Sequence, residues 1–304
     1  HFMLKEIHEE PQAVHNCLSP RIRGGKIDLG IPGLPDAVLK TVERLHIVAC
    51  GTAMHAGLVG EYAIEELARV PVEVDIASEF RYRDPILGKN DLVVLISQSG
   101  ETADTLAALR LAKERHAHTL AIVNVPGSSI AREADDVLYT WAGPEIAVAS
   151  TKAYLVQLAA LYLLGIKLGV LHGVLTAEQE AALCRDLKEA PAQIRQALRM
   201  EPEVEACAQA LKDAQHVFFI GRGTDYALSM ESSLKLKEVS YIHCEAYAAG
   251  ELKHGTISLI EDGTPVIAVA TRPQLLPKTV SNLEEVRSRG AKVLLVCREG
   301  DEVP

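Results

Sequence analysis

Short apolar runs, each closed by small and polar residues, recur along the chain. Residues 45–49 form one, ended by Cys50, Gly51 and Thr52, and residues 54–68 then carry their apolar positions at helical spacing. The order of strand, turn and helix continues. Residues 72–76 predict a strand, 92–96 a continuous apolar strand, 102–115 a helix, 119–124 a strand, 137–141 a fifth strand and 150–167 a long closing helix. Strands that alternate with helices imply a parallel sheet covered on both faces, hence an α/β fold of the flavodoxin-like kind. Residues 176–215, rich in Ala, Glu, Gln and Arg, predict amphipathic connecting helices broken at Pro191 and Pro202.

A second unit begins at Val217. An ungapped shift of 172 residues sets Cys50, Gly51, Thr52 on Arg222, Gly223, Thr224, then Ser78, Glu79, Phe80 on Gly250, Glu251, Leu252, and 92–96 on 264–268. Glu66 falls on Glu238. Few identities are shared, so the repeat rests on element order and turn positions. The expected organisation is an N-terminal linker or helix over 1–27, a first α/β unit over 28–168, connecting helices over 169–215 and a second unit over 216–304. In this register Pro304 meets Arg132, so the second copy is expected to be incomplete and the chain to be a piece of a longer protein.

Charge and cysteine usage narrow the class. Acidic residues outnumber basic ones 41 to 31, a formal charge of -10, which argues against nucleic acid as a partner. The six cysteines (Cys17, Cys50, Cys184, Cys207, Cys244, Cys297) are scattered, with no C-x-x-C pair and no short spacing to histidine, so neither a zinc site nor a disulfide framework is expected. The longest apolar stretch, 153–166, is too short to span a bilayer, and the N-terminus lacks a signal-peptide pattern. The expectation is a soluble cytoplasmic protein with no membrane partner.

Neither common nucleotide loop is present, because Tyr226 stands where G-x-G-x-x-G needs its third glycine and no G-K-[ST] occurs. After 92–96 the chain reads Ser97, Gln98, Ser99, Gly100, Glu101, Thr102 and opens a helix. Three hydroxyls and an amide at a helix N-terminus, beyond the carboxyl end of a central strand, suit a phosphate monoester; the plainer alternative is an N-cap. On the predicted helix 227–239, Glu231, Lys235 and Glu238 share one face, flanked by Leu234, Leu236 and Val239. This is either a solvated ion pair or a buried carboxylate tuned by a lysine. The third candidate is Glu251, Leu252, Lys253, His254, Gly255, a polar cluster whose histidine could exchange a proton near neutral pH. His243 has an equal claim on chemistry alone.

The runs 50–53, 97–102, 148–152, LKLKEVSYIHCE (234–245) and AYAAGELKHG (246–255) closely resemble the isomerase half of the glutamine:fructose-6-phosphate amidotransferase family, built from two sugar-isomerase (SIS) domains. The serine-rich loop alone would indicate only an SIS domain, whereas K-L-K-E and E-L-K-H-G are much more specific. The resemblance implies that Ser97, Gln98, Ser99 and Thr102 hold the sugar phosphate, that Gly51, Thr52 and Ala53 contribute, and that Val148, Ala149 and Ser150 line the sugar. It makes Glu238 the enolisation base, Lys235 its neighbouring lysine and His254 the ring-opening histidine, delivered from the partner subunit of a homodimer. The implied ligands are fructose 6-phosphate and glucosamine 6-phosphate, with no metal and no cofactor, at the first step of hexosamine and UDP-N-acetylglucosamine synthesis. In the family an N-terminal glutaminase domain delivers ammonia and a C-terminal tail with a lysine covers the site; neither has a counterpart here. Ala53 departs from the family's usual serine and removes one hydroxyl. Two other readings are another SIS isomerase or deglycase with a different phosphosugar, and a non-catalytic SIS protein that senses one.

Overall fold

The computed structural model describes residues 1–301, in two compact units that divide between Leu198 and Arg199. In the first, helix α1 (Phe2–Leu18) precedes a five-stranded sheet of β1 (Arg44–Ala49), β2 (Val72–Ile76), β3 (Asp91–Ser97), β4 (His118–Val123) and β5 (Asp136–Tyr139). All neighbours are parallel and the spatial order is β2-β1-β3-β4-β5, the flavodoxin-like order that the alternating pattern predicts. The burial follows from this placement. Every residue of the central strand β3 is buried, which is why it reads as an uninterrupted apolar run, whereas edge strand β2 alternates outward with Glu73.

The longer helices that follow α1 in this unit are α2 (Thr52–Ala68), α3 (Ala103–Glu114), α4 (Lys152–Leu171) and α5 (Ala177–Ala197). Helix α4 runs four residues past the predicted end at 167. Lys167 does not stop it, because its ammonium reaches out to Asp36 at 2.9 Å while the apolar face stays in the core. By length and composition α4 could cross a membrane, but two-thirds of its most apolar stretch is buried inside this unit, against α2 and α1. The predicted break at Pro191 is absent. Pro191 lies buried within α5, whose start is secured by a capping box of Thr176 and Gln179. The chain breaks instead at the 3-10 turn Leu198–Met200, and Pro202 sits in the first turn of α6 (Glu201–Leu211), where a missing N–H leaves no bond unmade.

The second unit holds β6 (His216–Gly221), α7 (Thr224–Ser240), β7 (His243–Ala248), β8 (Pro265–Ala270), α8 (Leu276–Arg287) and β9 (Lys292–Cys297), in the parallel order β9-β8-β6-β7. This is the first four-strand order over again. The repeat extends to backbone angles: Gly51 and Gly223 open α2 and α7 at φ 55, ψ −131 and φ 59, ψ −131, a conformation that excludes a Cβ. Both helices have 17 residues and end on left-handed caps, Arg69 and Tyr241, again 172 apart. Beyond that point the ungapped register needs correction. Val93 pairs with His46 in the first sheet and Val266 with Phe218 in the second, so their equivalence is a shift of 173; by β9, Thr119 matches Val293 at 174. The predicted match of 92–96 to 264–268 is therefore off by one residue.

Candidate active site

Beyond the carboxyl end of β3 the chain turns at Gly100, whose φ of 67° and close approach to Ser128 leave no room for a Cβ. This turn folds the loop 97–102 back on itself. Ser97 Oγ accepts from the Gly100 N–H at 3.0 Å and Ser99 Oγ from the Glu101 N–H at 3.2 Å, while Ser97 and Thr102 hydroxyls share a bond of 2.9 Å. With their acceptor sides engaged, Ser99 and one of the Ser97–Thr102 pair have hydroxyl protons free to donate outward. Thr102 is the N-cap of α3 but makes no side-chain capping bond, and Asp104 in the first turn is held by Arg81 at 2.8 Å. Helix α2 likewise starts without a side-chain cap or a first-turn acid. Both helix N-termini thus lack a side-chain cap, and the one first-turn acid between them, Asp104 of α3, is paired with Arg81.

These groups border one cavity of about 260 Å³. Thr52, Ala53, Ser97, Gln98, Ser99, Thr102, Val148 and Ser150 all line it, so eight of the ten ligand-contacting positions expected in this unit come together. Gly51 serves to turn the chain and Ala149 is buried behind the wall; neither lines the cavity. Val148 is 99% exposed at the rim. A larger open cavity of about 1000 Å³, bordered by His15, Asn124 and Trp141, shares only Gln98 and Glu145 with the first. It lacks the convergent hydroxyls, so the smaller cavity is the candidate for an anion.

Glu145 was not singled out by the sequence. Its carboxylate accepts from Ser150 Oγ at 2.9 Å and from the N–H groups of Thr151 and Ala153 at 3.0 and 3.1 Å, which caps α4 and fixes the segment 148–150. From α1, Glu6, 2% exposed, accepts from the Ile146 N–H at 2.7 Å, and Glu9 pairs with the buried ammonium of Lys152 at 2.7 Å. Helix α1 therefore holds the cavity wall. Its Glu10 is pushed up to about 7, first by burial and then by the nearby Glu145 charge. A carboxyl raised in the folded state costs stability as pH climbs from the ordinary value of 4.5 to about 7, and the cost persists above that. Glu10→Gln should accordingly stabilise the protein by about 1–3 kcal/mol at pH 8 and not at pH 4, as compared by urea unfolding at the two pH values.

The second unit has lost the anion site. The position equivalent to Ala53 is Asp225, whose carboxylate accepts from the Thr271 N–H at 2.9 Å and the Thr271 hydroxyl at 2.6 Å. A fixed internal carboxylate thus sits in the first turn of α7, where a bound anion would be repelled. On α7 the predicted face is real: Lys235 Nζ lies 3.3 Å from Glu231 and 2.5 Å from Glu238. Of the two alternatives for this face, the buried carboxylate beside the lysine falls to Glu231 and not to Glu238. Glu231 is the buried carboxylate, at 7% side-chain exposure, whereas Glu238 is 33% exposed and its neighbour Val239 is largely in solvent.

His254 is exposed in the turns beyond the carboxyl end of β7, its N–H bonded to the Glu251 carbonyl. His243 begins β7 at the amino end, with His216 at 3.4 Å and Glu245 at 3.9 Å. Because α7 runs back along the sheet, Glu238 in its last turn lies at the His243 end. A six-residue strand, roughly 20 Å, separates that end from His254. Within one chain the structure does not bring Glu238 and His254 together.

The comparisons with known proteins decide the family: the SIS domain matches residues 39–167 and 210–303. The chain belongs to the SIS-domain family. Curated relatives of this SIS protein include the glutamine–fructose-6-phosphate aminotransferase [isomerizing] of Symbiobacterium thermophilum, 56% identical over 99% of the chain, and that of Clostridium tetani, 54% identical over 99%. The chain spans about half the length of each. Among solved structures it resembles the C-terminal domain of glucosamine-fructose-6-phosphate aminotransferase from Francisella tularensis, 44% identical with a TM-score of 0.96, covering 98% of this chain and 84% of that one. A phosphosugar isomerase described as putative, from Silicibacter pomeroyi, is 27% identical with a TM-score of 0.79, over 98% of this chain and 87% of that one.

Proposed function

We propose that this SIS protein is the isomerase half of a glutamine:fructose-6-phosphate amidotransferase, a cytoplasmic enzyme unit that binds fructose 6-phosphate and carries the ketose-to-aldose conversion. The observation that carries this reading is the convergence of Ser97, Gln98, Ser99, Thr102 and Thr52 on one small cavity at two uncapped helix N-termini. The phosphate is held there by hydroxyl protons and first-turn N–H groups. His254 opens the hemiketal, and Glu238 removes a proton from C1 and returns it to C2, with Lys235 holding the carboxylate ionised and oriented. When ammonia from a glutaminase domain has replaced the C2 oxygen, the same proton transfer leaves an aldehyde at C1 and an amine at C2, which is glucosamine 6-phosphate. All six cysteines are free thiols, in keeping with a reducing compartment.

Calorimetric titration tests the reading. Fructose 6-phosphate and glucosamine 6-phosphate should bind in competition, and unphosphorylated fructose should not; a preference for a different phosphosugar would move the chain to another SIS activity, and no binding at all would refute the site.

The homodimer is part of the same proposal. Glu238 and His254 of one chain lie at opposite ends of one sheet, so His254 serves the sugar site of a partner subunit. Sedimentation at micromolar concentration should give about twice the chain mass of 32.9 kDa. A monomer with full proton-transfer activity would transfer the ring-opening role to His243, which shares Glu238's end of the sheet.

A further inference from the structure

One buried polar side chain on the cavity wall carries an acceptor that the fold leaves unpaired. Gln157, the sixth residue of α4, is 3% exposed and lines the candidate cavity, yet its Oε1 has no hydrogen-bond partner among the described residues. Unpaired buried amides are rare and costly, and each calls for an explanation. Thr151 Oγ1 and Ser128 Oγ are also unpaired, but neither lines the cavity. An orphaned acceptor on a residue that lines a ligand site is accounted for if the bound ligand brings the missing donor.

We propose that Gln157 is a substrate-binding residue whose amide oxygen accepts a hydrogen bond from a hydroxyl of the bound sugar. This rests on the functional reading above. Phosphate oxygens accept hydrogen bonds from the loop 97–102 and have no proton to offer a carbonyl at neutral pH, so Oε1 pairs with the sugar and not with the phosphate. The segment next to it has the same polarity. Glu145 also lines the cavity, but Ser150, Thr151 and Ala153 already donate to its carboxylate, which leaves the Gln157 oxygen as the acceptor still to be paired on this wall. Gln157 then sets specificity: a phosphorylated compound without a hydroxyl at that point leaves the buried amide unpaired and binds more weakly.

The test compares wild type with Gln157→Met, which keeps length and volume, and with Gln157→Leu as a second side chain. Fructose 6-phosphate should bind either variant about tenfold more weakly, the equivalent of one hydrogen bond, while inorganic phosphate binds all three alike. In a series of deoxy analogues of fructose 6-phosphate, one member should lose the same tenfold against wild type and nothing further against the variants. Thermal unfolding separates this role from a structural one. An amide reserved for a ligand is a burden in the free protein, so the variants should have Tm equal to or above wild type. Wild-type affinity for fructose 6-phosphate in both variants overturns the proposal and leaves the functional reading standing. A fall in Tm accompanied by weaker phosphate binding also overturns it, since it would make Gln157 a structural residue. Failure of the wild type itself to bind fructose 6-phosphate refutes the functional reading and the proposal with it.

Discussion

Glu238→Gln slows exchange of the C1 proton of fructose 6-phosphate with deuterated water by roughly 100-fold to 10,000-fold, the range of a general-base contribution, and leaves sugar-phosphate affinity within about twofold. Glutamine preserves the shape and the hydrogen-bonding reach of the side chain but not its basicity. The replacement also removes the Lys235–Glu238 ion pair at 2.5 Å, and Glu238 is one-third exposed, so that pair contributes about 1 kcal/mol or less to stability. A rate change of this size therefore exceeds anything a repacked helix end would cause. Lys235 keeps Glu231 as a partner at 3.3 Å, so the variant should fold as the wild type does. Proton NMR during incubation with the sugar phosphate reads both the exchange and the product. An unchanged exchange rate in Glu238→Gln would place the base elsewhere, with His243 and His254 the next residues to replace.

Replacing both Ser97 and Ser99 by alanine weakens fructose 6-phosphate binding between roughly tenfold and a thousandfold, since each hydrogen bond to a charged phosphate is worth about 1.5–3 kcal/mol and part of the loss is recovered by water. The two serines are not equivalent. Ser97 is 3% exposed and also satisfies the buried N–H of Gly100, so its removal disturbs the turn, whereas Ser99 is half-buried and supports only the Glu101 N–H. Ser99→Ala alone is accordingly the cleaner probe of ligand contact, and the double variant the larger effect. Titration calorimetry paired with thermal unfolding distinguishes a lost contact from a collapsed loop. Undiminished affinity in the double variant would remove this loop from the site.

The sheet was legible because buried parallel strands need largely apolar runs, and β1, β3 and β4 have them, β1 with only the buried His46 and β4 with only Thr119 inside the run. The repeat was legible through Gly51 and Gly223, since a turn that excludes Cβ leaves a mark in sequence. Its later register was not, because the second copy gains one residue by Val266 and another by Val293 without disturbing the apolar pattern of either strand. Pro191 misled because a proline signals a break only where the helix depends on the lost N–H bond, and α5 is held by its cap and packing. In the site, Ser97, Ser99 and Thr102 declared themselves by type and position. Glu145 and Gln157 did not: the first looks like any loop carboxylate, and the second reads as a polar interruption in an apolar helix until the fold leaves its Oε1 unpaired on the cavity wall. Glu238 was singled out by the face it shares with Glu231 and Lys235 and assigned as the base only through the K-L-K-E resemblance, for neither its exposure nor its place at the amino end of the sheet marks it as one.

A crystal structure of this protein with fructose 6-phosphate tests the central claim most directly. The account predicts the phosphate within hydrogen-bonding distance of Ser97, Gln98, Ser99 and Thr102, at the N-terminus of α3 and inside the cavity of about 260 Å³. A phosphate bound instead in the larger cavity beside Trp141, or in the second unit near Thr271 with Asp225 displaced, would contradict it.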